Sequence, residues 1–209
     1  MDITFWNERY GGARYVYGTE ANVFVAECAA FMPPGPALCL AEGECRNAVY
    51  LAGLGRQVTA VDQSEAGLAK GRSLARTRNV QICTLQVRLE DYCISPNSWA
   101  GIVATFAHFP VSLRRRIHGE VVAGLIPGGV FILEAYTPDQ LKRNTGGPKD
   151  LSLLMTLLEL RRELVGLEIL IGREIVRDVN EGDGHTGQGA VVQILAKKPE
   201  SWAAPSAIE

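Results

Sequence analysis

A short stretch of the sequence, ALCLAEGECRNA (residues 37–48), brings together residues that could do chemistry. An apolar tetrad runs into a loop with Glu42, Gly43 and Glu44, and the loop opens into a helix-forming run. Gly43 has no Cβ and tolerates positive φ, so the backbone there can lie close to a ligand. After the next apolar run, QVTAVD, a second acid, Asp62, stands about twenty residues beyond the loop. A carboxylate at that place can accept hydrogen bonds from both hydroxyls of a ribose. Loop, helix, strand and terminal acid together describe a site for a nucleoside-bearing cofactor.

The loop also bears on which cofactor. Pyrophosphate-binding loops set G-x-G-x-x-G at a helix N-terminus, so that backbone donors face the phosphates. That spacing is absent here, because Ala41 and Cys45 stand where glycines would flank Gly43. Acidic groups such as Glu42 and Glu44 suit a cation better than a phosphate. Solvent exposure is the competing reading for Glu44. Cys45 adds a Cβ and a sulfur where a glycine would leave bare backbone, and it resists positive φ. The expectation is a loop crowded against the cofactor at Cys45, shifted to accommodate it.

The acceptor side is less explicit. His108, in TFAHFP after a strand, could take a proton or orient a nucleophile, since its ordinary pKa lies near neutrality. The competing reading is a packed, hydrogen-bonded loop histidine. Glu134 and Tyr136 leave a later strand toward the same edge. Beyond them LKRNTGGPKD, with Asn144, Gly146 and Gly147, reads as a hinged lid or substrate loop, or as a plain connection. Trp6 and Trp99 read as packing residues.

These residues must be held by alternating strands and helices. ALCL, QVTAVD, VQICTLQV, GIVATF and VFILEAY are strand candidates. Between them lie NAVYLAGLG, closed by Gly55, and SEAGLAKGRSLARTR, capped by Ser64. A stripe of Leu113, Ile117, Val121 and Leu125 makes a third helix after Pro110. PGG is expected to break the chain before the fifth strand. This order predicts a doubly wound parallel sheet, with ligands at the carboxyl ends of the strands. LSLLMTLLELRREL, with Leu153, Leu157, Leu160 and Leu164 on one face, is predicted as one helix. EILIGREIVRDV and GAVVQILAKK are predicted to form a hairpin across NEGDGHTGQ.

The chain has 209 residues, 47% hydrophobic and 21% charged, with a net charge of −2. That balance gives no electrostatic footprint for nucleic acid or an anionic membrane. No signal peptide or membrane span is expected. Five cysteines without a CxxC pair argue for a reducing cytoplasm and against a disulfide framework or metal site. Cys39 and Cys83 are expected as small core residues.

Several segments together carry a family resemblance: FWNERY and YVYGTEAN at the start, AEGE-x-RNA, VTAVDQS, GGVFILE and NTGGPKD. In combination they resemble small bacterial class I methyltransferases that use S-adenosyl-L-methionine (SAM), related to the tellurite-resistance and thiopurine methyltransferase group. The likeness spans nearly the whole chain. It implies a Rossmann-like α/β domain with a seven-stranded, mostly parallel sheet ending in an antiparallel hairpin. One such domain would cover residues 1–198, with 1–36 covering the cofactor and 199–209 a flexible tail. It implies methyl transfer to a small-molecule acceptor, with S-adenosyl-L-homocysteine as product. Gly43 and its neighbours Ala41, Glu42 and Cys45 would contact the methionine part. Asp62 would bind the ribose, and Gln63, Glu90 and Asp91 would flank the adenine. Tyr17 and Gly18 would close over the cofactor. The sequence departs from the family pattern at Cys39, Ala41 and Cys45. A non-catalytic SAM-binding protein of the same fold is the alternative, and no pattern sets the oligomeric state.

Overall fold

The computed structural model describes residues 3–143, 145–182 and 184–201. The short apolar runs become strands: β1 (Ala37–Leu40), β2 (Val58–Asp62), β3 (Cys83–Gln86), β4 (Trp99–Thr105) and β5 (Leu125–Tyr136). Two long antiparallel strands follow, β6 (Glu168–Glu181) and β7 (His185–Lys197). They form one seven-stranded sheet of order β3-β2-β1-β4-β5-β7-β6. β1 pairs in parallel with both β2 and β4, so the strand order reverses beside it. The crevice beyond the carboxyl ends of β1 and β4 is therefore where a ligand belongs.

Helices cover both faces. α2 (Val23–Cys28), α3 (Arg46–Gly53) and α4 (Glu65–Thr77) pack one apolar cluster, with Phe24, Leu51 and Leu68 at its centre. α5 (Val111–Gly124) and α6 (Leu157–Glu163) pack the other, with Val121 and Leu160. Because β1 is covered on both faces, all four of its residues are buried. Ser64 caps α4 by accepting from the Gly67 N–H. An N-terminal helix, α1 (Ile3–Tyr10), lies on α4, where Asn7 Oδ1 accepts from Ser64 Oγ (2.7 Å) and the Ala66 N–H (3.3 Å).

Three expectations need correction. PGG does not precede β5 but lies within it. The register slips there from Trp99↔Leu125 to Gly101↔Val130, and Gly128 takes φ +78°. The stretch from Leu151 is not one helix. A 3₁₀ turn over Leu151–Leu153 ends, Met155 donates its N–H to the Tyr136 carbonyl, and α6 starts afresh with a Thr156–Glu159 capping box. Cys83 is exposed, because β3 is an edge strand. Among the described residues no helix is long and apolar enough to cross a membrane. Residues 202–209 of the expected tail lie outside the described residues.

Candidate active site

The loop after β1 settles its own backbone. Cys45 is the N-cap residue of α3 and its side chain makes no cap. Glu42 does this work instead: its Oε1 accepts the Ala48 N–H (2.8 Å), and Asn47 Nδ2 lies 3.5 Å from Oε2. A carboxylate at a helix N-terminus is also favoured by the helix dipole. Burial pushes Glu42 up to about 7, against the lowering effect of those hydrogen bonds and of Arg46. Gly43, at φ +57°, donates its N–H to Asp62 Oδ2 (2.8 Å). A Cβ on Gly43 would lie 2.5 Å from the Tyr10 hydroxyl, so the loop can pass under α1 only as glycine. Asp62 Oδ1 accepts from the Ser64 N–H (2.8 Å), and burial raises its pKa.

This donor set decides what the loop can hold. The Gly43 and Ala48 N–H groups, which would face a pyrophosphate in a dinucleotide site, point at the protein's own carboxylates. Carboxylates also line the cavity beside them. Such a lining repels phosphate and fits a cationic, phosphate-free ligand such as SAM.

Glu44 has a different role from solvent exposure. Its Oε2 accepts the N–H groups of Val16 (2.8 Å) and Tyr17 (3.3 Å), and its Oε1 pairs with Lys70 (2.8 Å). It straps the N-terminal segment over the loop. Gly18, at φ +73°, faces the β6–β7 hairpin at Gly182.

A cavity of about 570 Å³ opens at the carboxyl edge of the sheet. It brings together Tyr17, Ala41, Glu42, Asp62, Gln63, Glu90, His108, Tyr136, Gly146 and Gly147. Gly18, Gly43, Cys45 and Asp91 do not line it, and Asn144 lies outside the described residues. Cys45 is the largest correction. It does take the left-handed backbone, φ +62°, but its side chain is fully buried away from the cavity. It packs on Gly71 of α4, where a Cβ would lie 2.5 Å from the Cys45 Cβ. The absent side chain of Gly71 makes room for the cysteine, so the cofactor is not crowded.

At the other end of the cavity Phe106, at φ +51°, lies against the Tyr136 ring (4.7 Å between centroids). His108 stacks on Tyr136 at 5.8 Å. Its Nδ1 donates to the Leu153 carbonyl (2.8 Å) and its Nε2 accepts the Tyr136 N–H (3.4 Å). Burial pushes its pKa down to about 4. Gly147, at φ +84°, lies so close to the Tyr136 ring that a Cβ would come within 2.7 Å. Gln140 Nε2 donates to the Gly146 carbonyl (2.9 Å) and Thr145 Oγ1 to the Gln188 carbonyl (2.7 Å), which pins the expected lid to β7. Glu134 does not reach the cavity. It is fully buried in a network with Asn22, Arg177 and Gln193.

Sequence reasoning missed Arg9, Asn47 and Thr105, which line the cavity, and it placed Trp6 in packing. Trp6 lines the cavity while stacked on Tyr10 at 5.5 Å. The run FWNERY held the signal: aromatic and cationic residues on a helix too short to need them for a core. Among the described residues no cluster of acids, histidines and cysteines could hold a metal.

Residues 37–129 match the sequence profile of a family described as "Methyltransferase domain". Over those residues the chain is similar to a methyltransferase domain. No curated protein matches it in sequence. Among solved structures it resembles TehB from Haemophilus influenzae, with TM-score 0.71 and 22% identity over 94% of this chain and 66% of that one. A SAM-dependent methyltransferase from Anabaena variabilis superposes with TM-score 0.68 and 16% identity, over 94% and 93% of the two chains. A structure described as converting a disulfide bond into a thioacetal group in echinomycin biosynthesis gives TM-score 0.75 and 16% identity, over 97% and 94%. At these identities the likenesses establish the fold, which is the seven-stranded methyltransferase plan expected from the sequence.

Proposed function

We propose that the protein transfers the methyl group of SAM to a small-molecule acceptor held in the same cavity. One observation carries this reading: a single cavity joins Asp62 and Gln63 to the aromatic wall of Phe106, His108 and Tyr136. Its volume lies within the range of roughly 300–1,000 Å³ usual for small-molecule sites. Asp62 is fixed by two backbone N–H groups and keeps lone pairs for the ribose hydroxyls. Gln63 and Glu90 flank the adenine. Ala41, Glu42 and Tyr17 surround the methionine part.

When bound, SAM supplies a methyl group on a sulfonium, open to in-line displacement. The chain's task is to align the acceptor and exclude water. α1, with the segment after it strapped down by Glu44, and Gly146–Gly147 close the cavity from two sides. His108 has both nitrogens engaged and stays neutral at pH 7, so the wall gives shape and no base. Such a site suits an acceptor whose nucleophile is already ionised or carries a free lone pair. Cys45, one motive for a non-catalytic reading, lies outside the cavity.

The test is transfer of radiolabel from methyl-labelled SAM to a panel of small thiols, amines and oxyanions. Labelled product from any class supports the reading. Tight SAM binding without transfer to any class would favour a non-catalytic protein.

A further inference from the structure

The charged side chains lining the cavity are Arg9, Glu42, Glu44, Arg46, Asp62 and Glu90. All but one are answered by the protein itself. Glu44 pairs with Lys70 (2.8 Å), Glu90 with Arg88 (3.1 Å) and Arg46 with Glu181. Asp62 accepts the N–H groups of Gly43 and Ser64, and Glu42 caps α3. The exception is Arg9. Its Nε donates to the Tyr17 hydroxyl (2.9 Å), and its guanidinium carbon lies 5.4 Å from the centre of that ring. Among the described residues no carboxylate pairs with it. The fork of Nη1 and Nη2 is therefore held in place by one side of the group and left open on the other.

The position of Arg9 says what the fork would meet. Tyr17, which holds it, is itself fixed to Glu44 through its backbone N–H. Tyr10, the next residue, lies against Gly43. Arg9 thus shares the cavity with the loop acids Glu42 and Glu44 and is held there by Tyr17. With the ribose at Asp62, as proposed above and on which this inference rests, the methionine part of SAM lies under Arg9. That part ends in an α-carboxylate, and a guanidinium fork matches a carboxylate in charge and geometry.

We propose that Arg9 binds the α-carboxylate of the cofactor's methionine part, and that Tyr17 positions Arg9 to do so. Apart from Arg46, which is taken by Glu181, the site otherwise offers carboxylates to a ligand that carries two cationic groups and one anionic group. Arg9 supplies the complement to the anion. It also ties α1 to bound cofactor, so that the cover is held most firmly when SAM or its product is present.

The test is calorimetric binding of SAM and of decarboxylated SAM to wild type, Arg9→Met and Tyr17→Phe. Arg9→Met should weaken SAM by about tenfold, the scale of one charge-assisted contact at a part-exposed site. Decarboxylated SAM should bind wild type and Arg9→Met alike. Tyr17→Phe keeps the ring and removes the hydroxyl, so it should weaken SAM by less than Arg9→Met does. Equal loss for both ligands would mean that Arg9 merely holds α1 in place and would overturn the proposal. So would unchanged SAM affinity, including the case in which only the KM of an anionic acceptor rises. Wild type that binds neither ligand would sink the functional reading itself, whereas wild type that binds SAM no more tightly than Arg9→Met sinks only this inference.

Discussion

Gly71→Ala should destabilise the protein, and Cys45→Gly should rescue it. In an ordinary helix interior the change from glycine to alanine gains about 1 kcal/mol. Here the new methyl would stand 2.5 Å from the Cβ of Cys45. A sulfur can rotate away, but a Cβ is fixed by its backbone, and this backbone is the left-handed N-cap of α3. Overpacking of this kind costs about 1–3 kcal/mol. With both Cβ atoms fixed by backbone the cost lies in the upper part of that range, so the net loss is about 1–2 kcal/mol, or roughly 2–8 °C in Tm for a chain of this size. Cys45→Gly alone loses buried atoms worth about 1.6 kcal/mol, at about 0.8 kcal/mol each. It also relieves about 1–2 kcal/mol of left-handed strain, so it should be near neutral. The double variant should then be at least as stable as wild type, a coupling that additive sites would not show. Thermal unfolding of the four proteins measures this, and calorimetry with SAM should give the same affinity for Cys45→Gly and wild type. If Gly71→Ala is as stable as wild type, or if its effect is unchanged when combined with Cys45→Gly, the packing argument is wrong.

Asp62→Ala should weaken SAM at least tenfold, about 1.4 kcal/mol, because it strips ribose contacts and frees the Gly43 N–H; calorimetry checks this. The Glu42 carboxyl, pushed up to about 7 when folded against about 4.3 unfolded, makes the native state bind the extra proton between those values. Its ionisation therefore erodes stability as pH rises from about 4.3 to 7. Urea unfolding at pH 5 and pH 8 should show Glu42→Gln gaining on wild type at the higher pH, and an equal difference at both would refute it. Glu44→Ala removes the acceptor of the Val16 and Tyr17 N–H groups, so tryptic cleavage at Arg14 should speed up in the absence of ligand.

The sequence and the structure part company where a side chain depends on a distant partner. β1, β2 and β4 are plain in the sequence because central parallel strands must be apolar on both faces, and ALCL, VTAVD and AGIVAT are. Gly43 and Asp62 are legible because the backbone itself demands them. α6 is misread because the Leu153–Leu164 stripe outweighs the Thr156–Glu159 cap, although the T-x-x-E pattern stands in the sequence. What breaks the helix is tertiary: Met155 is held by the Tyr136 carbonyl at the end of β5. The direction of Cys45 is hidden for the same reason, since it is set by a glycine on another helix. So is Arg9, whose meaning depends on which other charges in the cavity are already paired.

The acids of the cofactor loop show why a motif lacking two glycines still makes a site. In a dinucleotide loop the glycines leave helix N–H groups free for phosphate. Here Glu42 accepts the Ala48 N–H in the first turn of α3, Asp62 takes the Gly43 N–H, and Glu44 holds the N-terminal cover. The loop no longer needs to bare its backbone, so positions 41 and 45 can carry side chains, provided that they reach left-handed φ. Alanine at 41 keeps the cavity wall low. Cysteine at 45 turns inward, where Gly71 gives it room. The carboxylates that close the site to phosphate are the same ones that favour a cationic cofactor. Loss of the glycine pattern and choice of ligand are thus one electrostatic arrangement, and Arg9 is the open charge that we propose for the cofactor's own anion.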